Sequence, residues 1–143
     1  MTDLMELASR VEAGEGPDRS LDHDIQDAVR LDGYTADRDG CSGNLCGTMT
    51  RMAADGDGVE WKPLLAYTAS LDAAMSLIEA DEYWRLGNDG EGPDPAAFKA
   101  TVTSHDDEAM IHFHDAVAET AALALCCAAL RARAHQGTAH VEQ

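Results

Sequence analysis

Apolar side chains recur at helical spacing in four stretches and alternate with polar ones in two others. Leu4, Leu7, Ala8 and Val11 share one face of a helix that Thr2 or Asp3 opens and Gly14-Glu15-Gly16-Pro17 ends. Pro17 suits the first turn of a second helix, where Leu21, Ile25, Ala28 and Val29 make the apolar stripe. Asp22, Asp24 and Asp27 fall largely opposite that stripe and read as a solvated face. Ser70 caps a third helix, running to Ala80, that buries Leu71, Ala74, Met75 and Ile78. A last helix runs from Val117 or Thr120 to Ala134, apolar nearly all round until Arg131, as a helix buried between other elements should be. Gln136–Gln143 reads as a frayed tail.

Alternation with period two marks strands. Phe98, Ala100 and Val102 alternate with Lys99, Thr101 and Thr103, and Ala109, Ile111 and Phe113 alternate with Met110, His112 and His114. Tyr83–Leu86, closed by Gly87-Asn88-Asp89-Gly90, precedes them as a third strand. Residues 32–62 hold six of the twelve glycines and read as a long irregular insertion, with one short helix near Asn44–Met52. The expected fold is a single α+β domain over 1–143. It has a short three-stranded antiparallel sheet packed with about four helices as a sandwich, and a long loop insertion at about 32–62.

Charge changes the functional picture more than the structural one. The 143 residues carry 27 acidic and 10 basic side chains, a net charge of −17. That excludes direct capture of nucleic acid or an anionic membrane by a general basic surface. A hydrophobic content of 45% excludes a wholly disordered acidic chain. The imbalance is −9 in residues 1–60, −8 in 61–115 and zero in 116–143, so the last helix is the neutral part. The opening residues lack a basic-then-apolar leader, and Ala116–Leu130 is too short to span a bilayer, so a cytoplasmic location in a bacterial host cell is expected, with thiols rather than disulfides.

Two stretches, Pro63-Leu64-Leu65-Ala66-Tyr67-Thr68-Ala69-Ser70-Leu71-Asp72-Ala73-Ala74-Met75 and Ala122-Leu123-Ala124-Leu125-Cys126-Cys127-Ala128-Ala129-Leu130-Arg131-Ala132-Arg133-Ala134, carry a family likeness. Together with Leu4–Glu12 and Gly16-Pro17-Asp18-Arg19, the chain resembles small bacteriophage and prophage proteins of the phage ABA sandwich domain type. The resemblance leaves residues 32–62 uncovered. It implies an α+β sandwich and a phage origin, and it carries no activity or catalytic residue set. Where such proteins often open the last helix with Thr-Pro, this chain has Thr120-Ala121.

The sharpest local chemistry is His112-Phe113-His114. On a strand both imidazoles point to one side and can reach one metal ion, with His105, Cys41 and Cys46 as further ligands in a mixed zinc site. The plainer reading is two histidines on the polar face of a half-buried sheet. Asp37-Arg38-Asp39-Gly40 and Asp55-Gly56-Asp57-Gly58 lack the third oxygen of a calcium loop and read as acidic turns. Cys126 and Cys127, adjacent on a helix, behave as small hydrophobes. No phosphate-binding glycine loop, Gly-x-Ser-x-Gly elbow or His-Glu-x-x-His motif is present, and no cofactor is expected.

These observations point to a non-enzymatic phage accessory protein that works by protein–protein binding. In one form it is an acidic nucleic-acid mimic that inhibits a host defence system, as an anti-CRISPR protein does. The partner would be a host or defence protein with a basic nucleic-acid-binding surface. Its contacts would be the clusters Asp22, Asp24 and Asp27; Asp37 and Asp39; Asp55, Asp57 and Glu60; and Asp106, Asp107 and Glu108. The alternatives are a zinc-binding domain or metal-dependent enzyme built on His105, His112 and His114, and a structural or regulatory phage protein. The oligomeric state stays open.

Overall fold

A computed structural model describes residues 4–16, 18–30, 33–36, 48–53, 56, 58–79, 82–88, 98–105, 108 and 110–141, with only the backbone described at 19, 88 and 136–141. Among them are four helices and two three-stranded antiparallel sheets, an α+β arrangement. In chain order the elements are α1 (Leu4–Glu12), α2 (Arg19–Val29), β1 (Thr35–Ala36), β2 (Thr48–Met52), β3 (Val59–Pro63), α3 (Leu71–Met75), β4 (Tyr83–Asn88), β5 (Phe98–His105), β6 (Ile111–Ala118) and α4 (Ala121–Val141).

Helix α4 is the centre of the molecule. Its alanines let neighbouring backbones approach closely, and α1, α3 and the β4–β5–β6 sheet all pack on it. Leu123 through Leu130 are fully buried. Leu7, Ala8 and Val11 of α1, Leu21 and Ile25 of α2, Ala100 and Val102 of β5 and Ala116 and Ala118 of β6 join that core. The Thr120 hydroxyl accepts from Leu123 N at 3.2 Å and caps the helix start, as the sequence suggests. The helix does not stop at Ala134; its backbone continues to Val141, so the segment read as a frayed tail is helical as far as that residue.

Helix α2 begins at Asp18, whose carboxylate accepts from Ser20 N and Leu21 N. It ends at Arg30 in the left-handed conformation (φ 48°), whose N–H bonds back to Gln26 O. Leu21 and Ile25 are buried as expected. Ser70 caps α3 through Ala73 N, but the helix ends at Met75 rather than near residue 80. Leu77 beyond it is fully buried while Met75 is exposed.

Two further sequence expectations need correction. The first is the insertion at 32–62. Its described part is a second small sheet, β1–β2–β3, in antiparallel register with Thr50 opposite both Thr35 and Trp61. The residues 48–52 read as part of a short helix form a strand; residues 44–47 lie outside the described residues. The hairpin closes through Gly56 (φ 77°) and Gly58 (φ 107°), with Ala53 N donating to Gly58 O. Two positive φ angles within three residues are what glycine supplies without strain. The sheet has its own small core of Tyr34, Met49 and Leu64.

The second is the phase of β6. Pairing with β5 sets Ala116 opposite Ala100 and His114 opposite Val102. Because Ala100 and Val102 face α4, residues 112, 114, 116 and 118 share the inward side, and Ile111, Phe113, Asp115 and Val117 point out. The period read from the sequence holds and its phase is reversed.

Candidate functional site

The expected docking carboxylates divide into those bonded within the fold, the exposed Glu108, and those outside the described residues. Asp22 is 2% exposed, which corrects its reading as part of a solvated face. Its Oδ1 accepts from Thr68 N and from the Thr68 hydroxyl, both at 2.8 Å, and that hydroxyl in turn accepts from Asp18 N at 2.8 Å. Asp24 pairs with Arg10 of α1 at 2.9 Å. Asp27 accepts from Ala36 N at 3.0 Å and fixes the start of the small sheet. Glu60 pairs with Arg51 across the hairpin at 2.7 Å. Glu108 is exposed. Asp37, Asp39, Asp55, Asp57, Asp106 and Asp107 lie outside the described residues, as do Cys41 and Cys46.

The histidines regroup. His105 sits at the end of β5 on the outward side, its ring edge-on to Tyr83 with centroids 6.3 Å apart. It is therefore on the wrong side of the sheet to share a ligand with His112 and His114, because odd and even positions of paired strands face opposite ways. Those two turn toward α4 and meet His135, with ring centroids 4.3 Å from His112 and 5.3 Å from His114. His114 Nε2 lies 3.1 Å from the Ser104 hydroxyl. Burial, and then the neighbouring His135 and His112, hold the His114 pKa below the ordinary histidine value, against the opposing pull of Asp115. Among the described residues no three His, Cys, Asp or Glu side chains converge as a metal ion would need. No spacing rule brings His135 to this cluster from the sequence, since its approach depends on how α4 crosses the sheet.

Burial also governs the two adjacent cysteines. Desolvation pushes the Cys126 thiol well up and the Cys127 thiol to about 12, so both stay protonated.

The outward face of β4–β5–β6 is what remains open. Cross-strand pairing aligns Tyr83, Thr103 and Phe113 in one row, and Arg85, Thr101 and Asp115 in the next. A third row is Gly87, Lys99 and Val117, while His105 and Ile111 form the other end. Tyr83 is 70% exposed, Phe113 68% and Ile111 53%. Such side chains one at a time are ordinary on a surface; here several share one sheet face. Over Gly87 the face dips into an open hollow of about 280 Å³ lined by Arg85, Leu86, Gly87, Lys99 and Thr101. The hairpin of the small sheet also exposes Met52, Val59 and Trp61.

Sequence reasoning placed Ile111 and Phe113 inside, so it passed over this face. The available signal was Ala116 and Ala118, which continue the alternation at even positions toward an alanine-packed helix. Among the described residues no helix is long and apolar enough to cross a membrane. Compared with protein-family models, curated proteins and solved structures, the chain has no significant match.

Proposed function

We propose that the chain is an accessory protein of the phage type it resembles in sequence, acting by protein–protein binding through the outward face of β4–β5–β6. The observation that carries this reading is the exposure of Tyr83, Ile111 and Phe113 on one sheet face, Tyr83 and Phe113 flanking Thr103 in a single row. Inhibition of a host defence system is one role such binding can serve. The four carboxylates Asp22, Asp24, Asp27 and Glu60 are engaged within the fold, which favours the sheet face over them as the contact surface.

A photo-crosslinking amino acid at position 113 tests the proposal, with position 5 on α1 as an exposed control. In host-cell lysate, position 113 should yield a discrete crosslinked protein that position 5 does not. Tyr83→Ser with Ile111→Ser should abolish it without changing the circular dichroism spectrum. Equal crosslinking from both positions, or none from position 113, would refute the assignment.

A further inference from the structure

Every free base in a chain with 27 carboxylates and 10 basic side chains calls for an explanation. Arg10, Arg51, Arg131 and Arg133 each stand within ion-pair distance of a carboxylate: Asp24, Glu60, Glu12 and Glu79 respectively. Among the described residues Arg30, Lys62, Arg85 and Lys99 have no carboxylate partner; Lys62 instead covers the Tyr34 ring, Arg30 caps α2, and Arg85 and Lys99 stand on one sheet face. The last two are also neighbours. Arg85 pairs with Thr101 and Lys99 with Gly87, which makes the two residues diagonal across β4 and β5, their Cα atoms about 7–8 Å apart. Gly87 puts no side chain between them, and a Cβ there would meet nothing within 4 Å. The hollow between the two cations is thus open to an incoming group. Among the described residues its nearest acid on this face is Asp115, beyond Thr101, whose hydroxyl donates to it at 2.7 Å.

We infer that the partner engages this face with an acidic segment, placing a carboxylate in the hollow between Arg85 and Lys99 and apolar side chains against Tyr83 and Phe113. The inference rests on the protein-binding reading above and gives the partner's chemistry. Charge complementarity is local. At physiological ionic strength the Debye length is about 8 Å, so the net negative charge of the distant surface is largely screened while a contact inside the hollow is not. The pairing also selects partners, because a basic segment would meet two cations of its own charge sign.

The test uses the ¹⁵N-labelled protein and three capped pentapeptides: Glu-Phe-Glu-Val-Glu, its neutral counterpart Gln-Phe-Gln-Val-Gln, and the basic Lys-Phe-Lys-Val-Lys. The acidic peptide should shift the amide signals of residues 83–87, 99–103 and 111–117. The neutral peptide should bind about two- to thirty-fold more weakly, the span of two exposed ion pairs. In the double variant Arg85→Gln and Lys99→Gln that difference should vanish, with an otherwise native spectrum. Equal binding of the acidic and neutral peptides at this face would overturn the acidic preference and leave the docking face standing. Preferential binding of the basic peptide there would overturn it as well. If none of the peptides shifts these amides while a shift appears elsewhere, both the inference and the docking face fall.

Discussion

Arg131 holds Glu12 in a two-pronged grip across 119 positions of sequence. Its Nη1 donates to Glu12 Oε2 and its Nη2 to Oε1, both at 3.0 Å, and Nη1 also reaches Asp115 O at 2.7 Å. Glu12 Oε2 further accepts from Val117 N at 3.2 Å. One pair therefore fastens the end of α1 to α4 and to the outer strand β6. A carboxylate at a helix C-terminus is ordinarily unfavourable, and the guanidinium offsets that.

Removing either partner should be felt. Arg131→Met should cost about 1–3 kcal/mol and Glu12→Gln about 1–2 kcal/mol, measured by urea unfolding. The double variant should lose less than the sum, since the two changes remove one interaction. The Arg131 hydrogen bond holds the Glu12 carboxyl below its ordinary value. Its contribution is therefore complete above about pH 4.3 and lost as pH falls through the lower folded value. A Glu12→Gln protein should show a flatter stability curve in that acid window, and an unchanged slope would contradict the assignment.

Asp22 and Thr68 lock α2 to the segment before α3. Asp22→Ala leaves both the Thr68 N–H and its hydroxyl without that buried acceptor, at a cost of about 2–4 kcal/mol. Asp22→Asn retains an acceptor oxygen and should lose less than half as much. Equal losses in thermal denaturation would show that the geometry of the acceptor is not what counts.

His23 is fully buried, and neither ring nitrogen has a hydrogen-bond partner among the described residues. Burying such groups unpaired costs stability. His23→Leu, close in volume, should raise the unfolding free energy by about 1–2 kcal/mol. A lower urea midpoint would mean that the imidazole contributes packing that leucine cannot match.

His114 should make the fold sensitive to mild acid. With its folded pKa lowered, the unfolded chain binds the proton more tightly. The contribution of neutral His114 is complete above about pH 6.5 and lost as pH falls through the lower folded value. His114→Gln should flatten the stability profile in that window. His135→Ala should raise the His114 pKa, read from imidazole nitrogen shifts by NMR. An unmoved pKa would separate the two rings electrostatically.

The elements legible in the sequence are those whose apolar residues face one continuous surface. Leu7, Ala8 and Val11 of α1, the stripe Leu21 and Ile25 of α2, and Phe98, Ala100 and Val102 of β5 meet the α4 core, and local pattern suffices to find them. The caps Ser70 and Thr120 are equally local. The small sheet is not, because Met49 is the only residue of β2 or β3 that is buried. Its best signal was the glycine pair Gly56 and Gly58, through which the hairpin closes. The phase of β6 depends on its pairing with β5, and alternation alone leaves it open by one residue. The acidic candidates misled for a related reason: Asp22 sits next to Leu21 and three positions from Ile25, on the flank of the buried stripe, where a second packed segment covers it.

The placement of α4 also governs how the chain is built. Every element that packs on it precedes it in sequence, so a chain growing on the ribosome holds the apolar sides of α1, α3 and the larger sheet uncovered until residues 121–132 emerge. Cooperative folding must then wait for that stretch, and a ribosome stalled before it would present an acidic, collapsed chain to chaperones and proteases rather than a stable partial domain.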